Sequence, residues 1–529
     1  MSFNWTALDD CYRAQIKMDW PADTVVYSVA ACMAKLNPLP NMTRAVSANG
    51  DMSSTNVIVV GSGGKYLLAG AVTAFRSQTM LRAVFENRRL TGIEVWQPEI
   101  KVGETPEEMI VLEGDDWRKL LCDYADAAAA KMGVAPINAE KNATGYCTWY
   151  YYYKEVTQKN TLENIEALAA NRSPYAAEYV QIDDGYQTFQ GDWLDQCDTW
   201  PTPVKEVAEK ITAAGMKAGI WLMPTTASTA SRVYREHPDW FVKNEKGETA
   251  VLPGWSPEPD NWWACLDATN PEAREHIANI FKTFRSWGFT YFKLDGLSYG
   301  LQKGRRMDPD ATSVSAFRLL LKTIREAVPD ALIMGCSEPF LPCLGLVEHA
   351  RSSNDTSRYF RRHDEGVNME MMGCNILDAF RITMGNFFMF DRWFRADPDV
   401  VMARQDNAYY TRNEAKISVL GAIMTGVAFT SDHLGTINAN RNALLAKAQN
   451  IRMYGAQPRN VTPNVWPREF EGTVNGKRAV ALINDTAQVL TWKLADLELG
   501  ENCIDLLDDK KVFSEITLVS HDAVLLIEE

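Results

Sequence analysis

Tyr291-Phe292-Lys293-Leu294-Asp295 lies near the middle of a 529-residue chain, between a helical pattern and the turn-like Gly296. Strong β-formers lead to a single carboxylate. Side chains alternate faces along a strand, so Tyr291, Lys293 and Asp295 share one face. Phe292 and Leu294 share the other, where helices can cover them. A carboxylate at the carboxyl end of a buried strand is where a parallel barrel presents a catalytic group. The same spacing also fits a Lys–Asp pair that only plugs a barrel.

Outward from this stretch the pattern repeats. Short apolar runs alternate with helical segments from about Gly145 to Asp432. The expected strands are Gly145–Tyr151, Tyr179–Asp183, Met216–Leu222, Thr290–Asp295, Ala331–Ser337, His349–Ser353, Gly385–Phe390 and Val427–Asp432. Helical patterns such as Thr161–Ala170, Val204–Ala214, Pro271–Trp287 and Val314–Val328 separate them. Eight β units alternating with helices predict an α/β fold centred on a (β/α)8 TIM barrel.

Both flanks read as β. Before about residue 115, short runs such as Asn56–Val60 and Tyr66–Ala69 are split by the turn signals Ala48–Asp51 and Gly61–Gly64. The Gly61–Gly64 segment lacks the Lys-Ser/Thr and the helix of a phosphate loop, so it is expected as a hairpin turn. An Ala-rich helix over Asp116–Met132 ends at Gly133. After a helix around Asn442–Tyr454, short strands return, with Asn475-Gly476 as a hairpin signal. The expected domains are an N-terminal β-sandwich with its connecting helix (1–139), the barrel (140–440) and a small C-terminal β-sandwich (441–529).

Composition narrows the function. The formal charge is −14, which argues against nucleic acid and anionic membrane surfaces, since both need a basic patch. No apolar stretch approaches the ~20 residues that span a bilayer. The start Met1-Ser2-Phe3-Asn4-Trp5 has neither a basic nor an apolar leader region. The 10 cysteines form no Cys-x-x-Cys pair, so they are expected reduced, in a cytoplasmic protein.

The expected strand ends supply Trp149, Asp183, Asp184, Trp221, Lys293, Asp295, Cys336, Glu338, Arg351, Asp355 and Asp432. Carboxylates, tryptophans and two cations dominate. No histidine has metal-ligand spacing, and no Gly-x-Ser-x-Gly elbow occurs. Paired carboxylates among aromatic walls suit glycoside hydrolysis, in which one acid is ionised and the other protonated before reaction. Lys293 should favour the ionised form of Asp295 and make it the nucleophile. Asp355, in a loop after the sixth strand, suits an acid/base. Arg351 so close would lower that acid's pKa, so it is expected to reach the sugar or the nucleophile instead. Asp183 and Asp184 read either as two acceptors for sugar hydroxyls or as one inward acid and one helix cap. Trp149 and Trp221 offer indole faces to a sugar's C–H face.

Several motifs recur in one order. They are Gly145–Tyr153, Gln181-Ile-Asp-Asp-Gly-Tyr-Gln187 with Gly191-Asp-Trp193, Ala218-Gly-Ile-Trp221, and Tyr291–Asp295. Gly335-Cys336, Gly345–Arg351 with Asn354-Asp-Thr356, and Ala396-Asp-Pro-Asp399 continue the series. Together they resemble the compact bacterial and archaeal α-galactosidases of glycoside hydrolase family 36, in clan D. The resemblance spans about residues 140–435 and is weak in the flanks. It implies a retaining double displacement with Asp295 as nucleophile and Asp355 as acid/base, their carboxyl groups roughly 5–5.5 Å apart. It implies that Asp183 and Asp184 bind the O4 and O6 hydroxyls, that Trp149, Trp221, Lys293, Cys336 and Arg351 line the sugar subsite, and that no cofactor or metal is used.

One departure stands out. Relatives usually carry small residues after the cysteine, and this chain has Ser337-Glu338-Pro339. Glu338 either faces the sugar and alters specificity or points away into a salt bridge. Other readings stay open: an α-N-acetylgalactosaminidase or a hydrolase of a modified α-glycoside on the same scaffold, transfer to a sugar acceptor, a metal site built from Asp183, Asp295 and Glu338, and a glycan-binding barrel without catalysis. The oligomeric state is not readable from these residues.

Overall fold

Eight short parallel strands run through the middle of the chain. They are β1 (Ala143–Cys147), β2 (Tyr179–Ile182), β3 (Lys217–Leu222), β4 (Phe289–Leu294), β5 (Leu332–Gly335), β6 (His349–Arg351), β7 (Arg395–Asp397) and β8 (Val427–Thr430). They hydrogen-bond in the order β7-β6-β5-β4-β3-β2-β1-β8. A parallel bridge between Val401 and Thr430 brings the two ends of the sheet together. The result is the expected barrel. The computed structural model describes residues 3–8, 10–21, 24–28, 42–44, 52–170, 176–254, 262–361, 374–460 and 465–529; the turn expected at Ala48–Asp51 lies outside them.

The barrel interior is filled by side chains in layers. Near its amino end three rings meet: Tyr291 on β4 lies 5.2 Å from Tyr179 on β2 and 5.5 Å from Phe429 on β8. Glycines at the same level make room for them. A Cβ on Gly145 of β1 would collide with the Phe429 ring, and one on Gly219 of β3 would stand 2.8 Å from Tyr291 Cδ1. Above the rings, Lys293 and then Asp295 project from the same face of β4, as the alternation predicts. Phe292 points outward and packs 5.2 Å from Phe281 of the helix Pro271–Ser286.

The seventh strand corrects the expectation. Gly385–Phe390 is not a strand: the helix Ile376–Gly385 runs into a 3-10 turn over Phe387–Met389. Short apolar runs do not distinguish a buried strand from a buried helical turn. Here the run packs on the connecting helix Trp117–Met132, with Phe387 5.8 Å from Trp117 and Phe388 6.3 Å from Tyr124. The true β7 is three residues long and carries Arg395 and Asp397, so it has no apolar signature. The first strand also stops early, at Cys147, and Trp149 opens a short helix to Tyr152.

The flanking regions are antiparallel. Among the described residues, two five-stranded sheets precede the barrel, and a six-stranded and a two-stranded sheet follow it. Gly61–Gly64 lies in the hairpin joining Val57–Ser62 to Lys65–Ala71, with Gly63 and Gly64 at φ +57° and +74°. Asn475 and Gly476, at φ 51° and 76°, turn the later hairpin. Both central residues of such a two-residue turn need positive φ.

Asp432 has a structural place. Its Oδ2 accepts the backbone N–H groups of Ala403 (3.1 Å) and Arg404 (3.0 Å), and Arg404 Nη1 donates to Oδ1 at 3.3 Å. Both side chains are fully buried. Arg404 Nη2 also donates to the Tyr150 carbonyl. The pair thus ties the segments after β1, β7 and β8 together. Asp432→Ala leaves a buried guanidinium without its counter-ion and should cost about 3–5 kcal/mol, measured as a lower denaturation midpoint. A midpoint equal to wild type would remove this role.

Candidate active site

The carboxyl ends of the strands gather most of the polar residues expected there. Asp295 continues the register of β4, its N–H donating to Leu222 O on β3. Its Oδ2 accepts the Trp221 indole N–H at 3.2 Å. Its Oδ1 accepts the Gly296 N–H at 2.6 Å and the Ser337 hydroxyl at 3.3 Å. Gly296 reaches this position with φ +59°, and a Cβ there would stand 2.7 Å from Met223 Cε. Burial pushes the Asp295 carboxyl upward. The nearby Lys293 and Arg351 charges, the Gly296 N–H and the Cys336 thiol outweigh burial and hold it below its ordinary value. Asp295 is therefore ionised at neutral pH.

Lys293 acts on Asp295 through space, because its direct partner is Asp183. The Nζ–Oδ2 distance is 2.8 Å, with both side chains buried. Asp183 Oδ2 also accepts from Gln181 Nε2 and from the Cys147 thiol at 3.3 Å. The backbone turns after β2, and Asp184 N–H donates to Asp183 Oδ1. Gln187 Nε2 donates to Asp184 Oδ1 at 2.5 Å, while Oδ2 is buried and accepts nothing from the protein. Burial pushes the Asp184 carboxyl up to about 6, against the Gln187 hydrogen bond. An acceptor without a donor is what a sugar hydroxyl would satisfy.

Arg351 at the end of β6 departs from the expectation that it would reach the sugar or the nucleophile. Its Nη1 donates to Asp355 Oδ1 at 2.9 Å and pairs with Asp399 Oδ2 at 3.0 Å. Its Nε lies 3.6 Å from Asp397 Oδ2. Nη2 donates to the Tyr150 hydroxyl at 3.3 Å. One buried guanidinium thus serves three carboxylates. Asp399 is also held by the Thr356 N–H at 2.7 Å, one residue past Asp355. Burial, with Asp355 and Asp397 beside it, pushes Asp399 up to about 7 despite Arg351. Asp355 itself is half-buried. Burial pushes the Cys336 thiol well up, with Arg351 and Lys293 opposing and Asp295 and Asp355 adding to the rise.

Other expected residues sit differently. Trp221 is 1% exposed and meets Trp193 at 5.7 Å; it offers Asp295 its N–H and shows no open ring face. Trp149 is half-buried, edge-on to Tyr153 at 5.5 Å. Glu338 turns away from the cavity. Gly335 pairs with Leu294, so its missing side chain would point outward. The Glu338 side chain fills that space, its Cγ 3.4 Å from the Gly335 Cβ position. It is fully buried, and neither carboxylate oxygen has a hydrogen-bond partner. Burial pushes its carboxyl up to about 8. Hence Glu338 lies on the outer side of β5, forms no salt bridge among the described residues, and does not converge with Asp183 and Asp295 as oxygen ligands.

Sequence reasoning missed the hydrogen-bonding roles of Gln181, Gln187, Tyr150 and Ser337, whose types carry no periodic signal. Asp397 and Asp399 stood inside the quoted Ala396–Asp399 motif without a role.

Residues 150–338 match the melibiase family model. An A type blood α-D-galactosamine galactosaminidase from Flavonifractor plautii is 27% identical over 121 residues, 22% of this chain and 11% of that protein. An α-galactosidase from Escherichia coli is 26% identical over 183 residues, 33% of this chain and 25% of that one. The chain thus covers about a quarter or less of the length of these curated relatives. In three dimensions it is similar to the α-galactosidase TtGalA from Thermus thermophilus, solved with p-nitrophenyl α-D-galactopyranoside. The TM-score is 0.69 and the identity 20%, covering 90% of this chain and 92% of that one. The family 36 α-galactosidase AgaA from Geobacillus stearothermophilus gives 0.65 at 12% identity, covering 98% and 77%. The resemblance read from the motifs therefore holds in sequence over much of the barrel and in fold over nearly the whole chain.

Glu338 yields a test of its burial. The carboxyl rises from an ordinary 4.5 to about 8 on folding. Stability from its protonated form is complete below the unfolded value and is lost as pH rises toward the folded one. Glu338→Gln has no such titration. Its melting temperature relative to wild type should climb between pH 5 and pH 8, while activity on a fixed substrate stays within about 2-fold, well under the 10-fold of 1.4 kcal/mol. Parallel melting curves would place Glu338 in water.

Proposed function

We propose that this chain is a retaining α-glycoside hydrolase that releases terminal α-linked galactose. The observation that carries the reading is Asp295 at the end of β4, held by four hydrogen-bond donors and below its ordinary value, with Asp355 bonded to Arg351 in the loop after β6. An Asp295 oxygen attacks the anomeric carbon as the glycosidic C–O bond breaks. Asp355 gives its proton to the departing oxygen. Asp355 then takes a proton from water, whose oxygen displaces Asp295 and restores the starting anomer. Trp221, Gly296, Ser337 and Cys336 fix which Asp295 lone pair is free to attack.

The unpartnered Oδ2 of Asp184 supports its accepting a hydrogen bond from a hydroxyl of the bound sugar, with Asp183 beside it as the second acid of the pair. The α-galactosidase names among the relatives support galactose as that sugar. The galactosamine named for the Flavonifractor plautii relative keeps a 2-amino or 2-acetamido sugar as the second reading. Glu338 does not decide between them, since it lies behind β5. In this reading residues 140–440 are the catalytic domain, 1–139 and 441–529 its flanking β domains, and the protein acts in the cytoplasm without a cofactor.

Two variants and one anomer test it. Asp295→Ala should lose about three orders of magnitude or more on an aryl α-galactoside; unchanged turnover sinks the proposal. Asp355→Ala with azide should give the α-galactosyl azide, whereas azide rescue of Asp295→Ala should give the β-anomer. A wild-type first product of inverted configuration by NMR would overturn the double displacement.

A further inference from the structure

Asp399 is a buried acid of this site that the reaction above leaves without a task. It stands two residues past the end of β7 and is 2% exposed. Its φ of +76° lies in the left-handed region, which among L-residues asparagine and aspartate tolerate best. The conformation is held from both sides. Asp399 N–H donates to Asp397 Oδ1 at 2.9 Å, and Val400 N–H donates to Asp399 Oδ1 at 2.8 Å. Val401 N–H then donates to Phe429 O on β8 at 2.6 Å. Asp399 is thus fixed to the seam that closes the barrel. Backbone kept in a sparsely populated conformation calls for a reason in what its side chain does.

That side chain reaches toward Asp355. Asp399 Oδ2 accepts the Thr356 N–H at 2.7 Å, so it grips the backbone one residue past the acid. Arg351 Nη1 stands 2.9 Å from Asp355 Oδ1 and 3.0 Å from Asp399 Oδ2. One guanidinium nitrogen is therefore divided between the two carboxylates. Asp355 is the more open of them, with 29% of its side chain exposed against 1%.

We infer that Asp399 is a positioning residue for proton transfer: it sets where Asp355 stands and how firmly Asp355 keeps its proton. This rests on the hydrolase reading above. Arg351, Asp355, Asp397, Lys293 and Tyr150 face Asp399, and Tyr150, Tyr153 and Cys336 face Asp355. The two cations favour ionised acids. Each carboxylate opposes the ionisation of its neighbours. With Asp399 neutral, the Arg351 charge falls more fully on Asp355 and favours its ionised form, which has no proton to give.

The test uses Asp399→Asn and Asp399→Gly in the full chain. Both residues suit the positive φ. Asparagine keeps an oxygen for the Thr356 N–H and loses the charge; glycine loses both. The kcat/KM is followed against pH on phenyl and 2,4-dinitrophenyl α-galactosides. A phenyl leaving group needs the acid's proton, and a dinitrophenyl group departs without it. In Asp399→Asn the alkaline limb on the phenyl galactoside should move about one pH unit lower. Near neutral pH the phenyl rate should fall about 10-fold more than the dinitrophenyl rate. Asp399→Gly should show the same split or a larger one. Equal losses on both substrates with an unmoved limb would make Asp399 a plain counter-ion of Arg351 and overturn the inference. So would wild-type rates on both, or two variants that do not fold. A wild type inactive on both galactosides would instead refute the hydrolase reading, before any variant is compared.

Discussion

The guanidinium of Arg351 is the charge around which this site is arranged. A buried cation is costly unless it is paired and hydrogen-bonded, and here three carboxylates converge on it. Two of them, Asp397 and Asp399, come from β7 and the residues just after it. Asp355 comes from the loop that follows Arg351 itself. The charge therefore fixes the spacing of neighbouring strand ends as well as one side chain. Three acids on one cation leave an excess of negative charge, which is why Asp399 is pushed up to about 7. In the proposed reaction that cluster sits beside the acid that donates a proton and takes one back.

The same principle separates the other carboxylates by environment. Asp295 is held low by donors and distant cations, while Asp184 is lifted to about 6 by burial with a single donor. Asp183 gives up its free oxygen to Lys293. Acids of one chemical type thus enter different roles because their surroundings differ.

Much of this was legible in the chain. Alternation along β4 put Lys293 and Asp295 on one face, and that holds. Seven of the eight strands lay where apolar runs predicted them, with ends shifted by a few residues. The failure at β7 has a physical cause: a three-residue strand bearing Arg395 and Asp397 has no hydrophobic signature, whereas Phe387–Met389 has one and spends it on the connecting helix. Partners across the barrel were harder to read. Lys293 was expected on Asp295 and pairs with Asp183. Arg351 was expected on the sugar or the nucleophile and pairs with Asp355. Such contacts depend on which strand end lies opposite, and linear spacing does not carry that. Glu338 could have faced either way on sequence alone, and the outward path of Gly335 decides it.

The ring layer of Tyr179, Tyr291 and Phe429, fitted against Gly145 and Gly219, has a consequence for traffic. It closes the barrel below the charged layer, so the site is a vessel with one mouth. Whatever reaches Asp295 leaves by the route it entered. In the proposed reaction a sugar released from the deepest position must go out before the next substrate can come in, and the two compete for the same opening.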